Sequence, residues 1–170
     1  DRVFKKIFKE KENIVLIGMP GSGKSTVGKI LAKALGRRLI DTDKIIVERA
    51  KKDIPTIFRE DGEAKFREIE AEVIRDLASE TGVIIAAGGG AVLRGENVDA
   101  LKENGRIYFI DRPLERLMPT ENRPLASTSE QIEKRYRERY GIYKAAADVR
   151  VFANCFPKAV AEKIIKDFTK

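Results

Sequence analysis

Short apolar runs alternate along the chain with longer stretches in which apolar residues recur every three or four positions. The runs at 14–17, 38–40, 83–87, 106–110 and 149–152 read as strands. Helical patterns cover 24–35, 43–51, 64–78, 98–103, 129–147 and 157–168. Phe66, Ile69, Val73 and Leu77 fall on one stripe of the third of these. Asp53-Ile54-Pro55 reads as an N-cap with proline in the first turn, opening a further short helix before Gly62. Strands separated by helices predict βα units, and so an α/β domain of three layers. A five-stranded parallel sheet would be covered by helices on both faces.

Two segments lie outside this rhythm. Residues 1–12 place Val3, Phe4, Ile7 and Phe8 on one helical face and lysines elsewhere. They are expected to be an N-terminal extension, either a helix packed on the domain or a linker from an upstream one, ahead of a single domain over 13–170. A start at Asp1 leaves a larger multifunctional polypeptide open. Residues 112–129, rich in Pro, Thr, Ser, Asn and charge, predict a long mobile loop.

Composition narrows the chemistry. Hydrophobic residues make up 42% of the 170 residues and charged ones 36%, which favours a folded domain over disorder. With no histidine, Ser-His-Asp hydrolases, Cys-His proteases and His-ligated zinc are excluded. The single cysteine, Cys155, excludes an internal disulfide or a multi-cysteine metal site and suits a reducing compartment. The apolar run at 82–93 is too short to span a bilayer, and residues 1–13 lack the apolar stretch of a secretory signal. Lys and Arg number 34 against 27 Asp and Glu, a net +7 that fits nucleic acid, a membrane surface or small anions equally well.

The motif Gly18-Met-Pro-Gly-Ser-Gly-Lys24-Ser25-Thr26 points to a bound phosphate. It matches G-x-x-x-x-G-K-[ST], with an apolar strand before it and a helical run after it. Glycines let successive backbone N–H groups turn inward around a phosphate, at the positive end of the following helix. Gly21, Ser22, Gly23, Lys24, Ser25 and Thr26 are the expected nucleotide cradle. Lys24 reaches the β- and γ-phosphates and the Ser25 hydroxyl ligates Mg²⁺. N-K-x-D and D-x-x-G are both missing, which argues against a GTPase, and the third strand ends in Gly88-Gly89-Gly90 without a carboxylate.

Asp41-Thr42-Asp43 follows the second strand, on the sheet edge that faces the ligand crevice. Asp41 could hold the magnesium shell, and Asp43 could accept or orient a substrate hydroxyl. Alternatively either aspartate caps the next helix, or one does both jobs.

These elements resemble the shikimate kinase family of P-loop small-molecule kinases, from Asn13 to the C-terminus. GMPGSGKST, DTD, FREIE at 66–70, GGG at 88–90, RPL at 123–125 and RYGIYKAAAD at 139–148 stand in the family's order. The resemblance implies the P-loop kinase fold with a lid at about 112–128. It implies an ATP- and Mg²⁺-dependent enzyme phosphorylating the 3-hydroxyl of shikimate in aromatic amino acid (chorismate) biosynthesis. By match, Asp43, Arg67, Glu70, Gly88, Gly89, Gly90 and Arg139 are the shikimate-binding residues. Asp43, Lys24 and Arg123 are the catalytic ones, Arg123 arriving with the lid, and Arg116 and Arg123 join the nucleotide site. Ser25 and Asp41 are the metal ligands, and Asn154 and Pro157 are candidates for the adenine pocket. Where the family has proline this chain has Gly141, which implies a looser turn that leaves Arg139 in place. The expected partners are shikimate and ATP, with no nucleic acid and no membrane, for a cytoplasmic monomer.

Arg67 could instead be only an ion-pair partner of Glu63 and Glu70 at helical spacing. Gluconate-type kinases tend to carry a histidine after the D-x-D element, and nucleotide kinases a D-G-[FY]-P-R signature; neither is present. The alternative of another class is a non-catalytic ATP- or nucleic-acid-binding module using the +7 charge.

Overall fold

A computed structural model describes residues 1–119 and 127–170. Five strands form one parallel sheet: β1 (Asn13–Ile17), β2 (Leu39–Asp41), β3 (Ile84–Ala86), β4 (Gly105–Asp111) and β5 (Val149–Phe152), in the order β2-β3-β1-β4-β5. Every residue of β1 is buried, as a central parallel strand covered on both faces requires. Its side chains alternate between two cores. Ile14 and Leu16 pack with Val27, Leu31, Val160 and Ile164, which come from α2 (Lys24–Leu35) and α9 (Pro157–Phe168). Val15 and Ile17 join Phe66, Val73, Leu101 and Tyr143 on the other face, from α5 (Gly62–Ala78), α6 (Gly95–Glu103) and α8 (Ser129–Ala146). The three-layer expectation is met.

Local chemistry fixes the ends of these elements. Asp53 caps α4 (Ile54–Glu60) by accepting the Thr56 N–H at 2.9 Å, with Pro55 in the first turn. Thr128 and Gln131 form a reciprocal capping box at the start of α8. Buried Asn13 donates to the Glu80 carbonyl and accepts from the Val83 N–H, which sets the entry of the chain into β3. Between β4 and α9, Asp167 accepts from Arg106 at 2.8 Å and from the buried Tyr108 hydroxyl at 2.6 Å.

Residues 2–11 form a helix, α1 (Arg2–Lys11), with none of its residues buried and Val3, Phe4 and Phe8 well exposed, while Phe4, Ile7 and Phe8 line a cavity with Ala78 and Thr81. The helix is held at its C-terminal end, where Arg37 donates to the Lys9 and Glu12 carbonyls and the Lys9 ammonium sits 4.5 Å over the Phe168 ring. Gly141 makes no turn, because α8 runs through it. Finally, the segment read as loop from residue 112 carries a short helix, α7 (Leu114–Leu117), and the glycine triple leads into a 3₁₀ turn over Ala91–Leu93. Both are single turns, too short to leave a period in the sequence.

Candidate active site

The carboxyl ends of β1, β2 and β3 converge, and each delivers one motif. After β1 the chain enters the phosphate loop, where Gly21 (φ 80°) and Gly23 (φ 95°) take left-handed backbone that side chains disfavour. Lys24 then starts α2 with its ammonium turned into the loop, donating to the Gly18 carbonyl at 2.7 Å and to Met19 at 2.9 Å. Burial lowers the Lys24 pKa to about 8, against the opposing pull of Asp43 and Asp41. The Ser22 hydroxyl is buried in the same loop and has no protein partner among the described residues.

After β2 comes Asp41, the N-cap of α3 (Thr42–Ala50), and its two oxygens divide the work. Oδ1 accepts the Asp43 N–H at 2.9 Å, while Oδ2 accepts from the Ser25 hydroxyl at 3.3 Å. One carboxylate thus both caps α3 and pairs with the Ser25 hydroxyl. Thr42 is fully buried, and its hydroxyl accepts the Gly88 N–H at 2.9 Å, tying the second motif to the third.

The triple glycine after β3 is needed for space. A Cβ on Gly88 would stand 2.6 Å from Asp43 Oδ1 and 3.3 Å from Glu70 Oε2. On Gly89 it would stand 2.8 Å from the Pro20 ring and 3.4 Å from Arg139 Nη1, and on Gly90 it would overlap the Arg67 guanidinium. The glycines, Asp43, Arg67, Glu70 and Arg139 are thus one cluster, as expected.

Two cavities meet there. The larger, of about 520 Å³, is walled by Arg67, Glu70, Gly90 and Arg139, with Phe58, Phe66 and Ile54 supplying apolar surface. The second, of about 370 Å³, is walled by Gly21, Gly23, Lys24, Ser25, Thr26, Asp41 and Gly88. Pro20, Asp43 and Gly89 belong to both walls. The family model for shikimate kinase matches residues 20–169, almost all of this frame.

The chain belongs to the shikimate kinase family. It is 46% identical over 142 residues to the shikimate kinase of Clostridium beijerinckii, covering 81% of this chain and 83% of that one. To the shikimate kinase of Clostridium botulinum (strain Alaska E43) it is 42% identical over 160 residues, covering 92% and 96%. A solved shikimate kinase from Acinetobacter baumannii, in complex with shikimate, superposes with a TM-score of 0.87 at 31% identity, covering 96% of each chain.

Within this shikimate kinase frame the charges are unusually confined. Glu70, 1% exposed, accepts from Arg67 Nη1 at 2.8 Å, while its Oε2 has no protein partner among the described residues. Burial raises the Glu70 pKa, and the Arg67 hydrogen bond only partly offsets that. Asp43 is raised as well, first by burial and then by Asp41, with Lys24 and Arg67 opposing. Arg67 also lies 3.7 Å from Glu63, so the ion-pair reading and the cavity reading are both true of it. Arg116 is exposed on α7, outside the walls of both cavities, and Arg123 lies outside the described residues. Pro157 opens α9 and Asn154 lies just before it, away from both walls.

Sequence reasoning missed Thr42, Pro20 and Tyr143. Thr42 stood between the two aspartates that drew attention, and its burial had no sequence signal. Tyr143 follows Arg139 by four residues, the spacing that puts both on one face of α8, and that spacing was the available clue.

Proposed function

We propose that the protein transfers the γ-phosphoryl group of ATP to the 3-hydroxyl of shikimate, giving shikimate 3-phosphate and ADP. The observation that carries this reading is the position of Asp43 on the wall common to the phosphate-loop cavity and the arginine-lined cavity. A hydroxyl held by one cavity then faces a phosphate held by the other.

Each side suits its ligand. Arg67 and Arg139, from different helices, offer paired N–H groups to the carboxylate of shikimate. Glycine backbone at 88–90 admits a hydroxylated ring without side-chain obstruction. Loop amides and Lys24 receive the phosphates. In the transfer, a bond forms from the 3-oxygen to the γ-phosphorus as the β–γ bridging bond breaks. Asp43 orients the 3-hydroxyl for in-line attack and accepts its proton, while Lys24 and the loop N–H groups stabilise charge developing on the phosphoryl oxygens. Arg123 and Arg116 are assigned to the nucleotide side on the strength of the family motifs.

Among the described residues no three Asp, Glu, His or Cys side chains gather as a metal cluster. The Ser25 hydroxyl and Asp41 carboxylate still fit Mg²⁺, which takes one or two protein oxygens and keeps most of its shell for phosphates and water. When bound, the ion neutralises phosphate charge. Among the described residues no helix is long and apolar enough to cross a membrane. On the family resemblance alone we assign the enzyme to the cytoplasm, acting as a monomer.

ADP release with ATP and Mg²⁺ is the test, run against shikimate, quinate, gluconate and nucleoside monophosphates. Stimulation by shikimate alone or far above the others is expected. Release indifferent to shikimate would overturn the assignment, and stimulation by gluconate or a nucleotide would transfer it to that substrate.

A further inference from the structure

The glycine segment 88–90 is the one part of the shikimate cavity wall with no side chains of its own to lock it, yet its position decides where Arg67 and Asp43 can stand. Two buried hydroxyls hold it. At its start, Thr42 Oγ1 accepts the Gly88 N–H at 2.9 Å. At its middle, the Tyr143 hydroxyl donates to the Gly89 carbonyl at 2.5 Å and lies 3.9 Å from Met19 Sδ in the phosphate loop.

Tyr143 is built to keep that position. It is 1% exposed, and its ring stacks on Phe109 of β4 at 5.2 Å between centroids. Burial raises the phenol pKa further above 10, so the hydroxyl stays a donor across the working pH range. A rigid ring anchored on the sheet thus carries a hydroxyl that bonds Gly89, a residue both cavities share, and that also meets Met19 and the Arg139 side chain.

We infer that Tyr143 is a positioning residue for shikimate: its hydroxyl, with that of Thr42, fixes the 88–90 backbone against the phosphate loop so that the ring-binding wall is pre-formed. The inference rests on the kinase reading above and adds to it a residue outside the cavity lining.

Tyr143→Phe keeps the ring and removes only the hydroxyl. Loss of one buried donor should raise KM for shikimate about tenfold. KM for ATP should change less than about twofold, with kcat falling less than about threefold. Thr42→Val should act in the same direction and Thr42→Ser should restore wild-type constants. Hydrogen exchange over residues 87–93 should quicken in Tyr143→Phe while the melting temperature stays within a few degrees of wild type. A purely structural role would instead lower the melting temperature and leave the shikimate KM alone. A folded Tyr143→Phe protein with wild-type shikimate KM, or with both KM values and kcat shifted together, would overturn the inference. Should wild type fail to phosphorylate shikimate, the kinase reading falls on that result. Hydrogen exchange then decides the anchoring separately, with unchanged exchange counting against it.

Discussion

At the scale of single residues, the site works by exclusion of side chains as much as by their presence. Gly90 has room for nothing more than hydrogen because the Arg67 guanidinium occupies the place of a Cβ. That guanidinium is the far end of a flexible chain and can move aside without disturbing the backbone. Gly90→Ala should therefore still fold, with some loss of stability because the displaced guanidinium gives up its bond to buried Glu70, and should raise KM for shikimate at least about tenfold with KM for ATP unaffected, as steady-state kinetics would show. Lys24 makes a second case. Its pKa of about 8 means the ammonium is charged below that pH and neutral above it in the free protein. Phosphates favour the charged form, so nucleotide binding should take up a proton above pH 8 and none well below it, and affinity should weaken as pH climbs past 8. Calorimetry of ADP binding at pH 7 and pH 9, in buffers of different ionisation enthalpy, measures that proton directly. The P-loop motif made Lys24 legible from sequence, but its contact with the Gly18 and Met19 carbonyls was not, because that depends on how the loop folds back on itself.

At the scale of elements, α5 carries the most concentrated conflict between stability and function. It presents Arg67 and Glu70 on adjacent turns, with Glu70 buried and held through Arg67 alone among the protein groups bonded to it in the described residues. Removing the arginine leaves a buried carboxyl unpartnered, which costs about 3–5 kcal/mol when it must stay ionised and less as it protonates. Arg67→Ala should thus be both destabilised in denaturant melts and unable to bind shikimate tightly. Arg67→Ala combined with Glu70→Gln should recover most of the stability and none of the binding, separating the two roles. The apolar period of α5 was plain in sequence, and the FREIE match singled out Arg67 and Glu70; the depth of Glu70's burial was not legible, since that is set by packing on α3, α4 and α6. In α1 a clear apolar stripe forms a helix and stays exposed. Periodicity predicts a face and leaves its partner undetermined.

At the scale of the whole molecule, the strand order β2-β3-β1-β4-β5 brings three motifs, distant in sequence, to one edge of the sheet. This arrangement was foreseeable in outline, because apolar runs separated by helices imply a parallel sheet with its ligands at the carboxyl edge. What the sequence left open was the junction: two cavities, one walled by the phosphate loop and one by Arg67 and Arg139, sharing Asp43, Pro20 and Gly89. The +7 charge, ambiguous in composition, gains meaning here, since Lys24, Arg67 and Arg139 are turned toward the two cavities. If Asp43 at that junction serves phosphoryl transfer, changing its charge while keeping its shape must separate binding from turnover. The decisive measurement is turnover of Asp43→Asn with saturating shikimate and ATP·Mg²⁺, alongside nucleotide affinity of the same protein. A fall in kcat of at least about a hundredfold, with nucleotide affinity within about threefold of wild type, is the predicted result. Near-normal turnover would contradict the account.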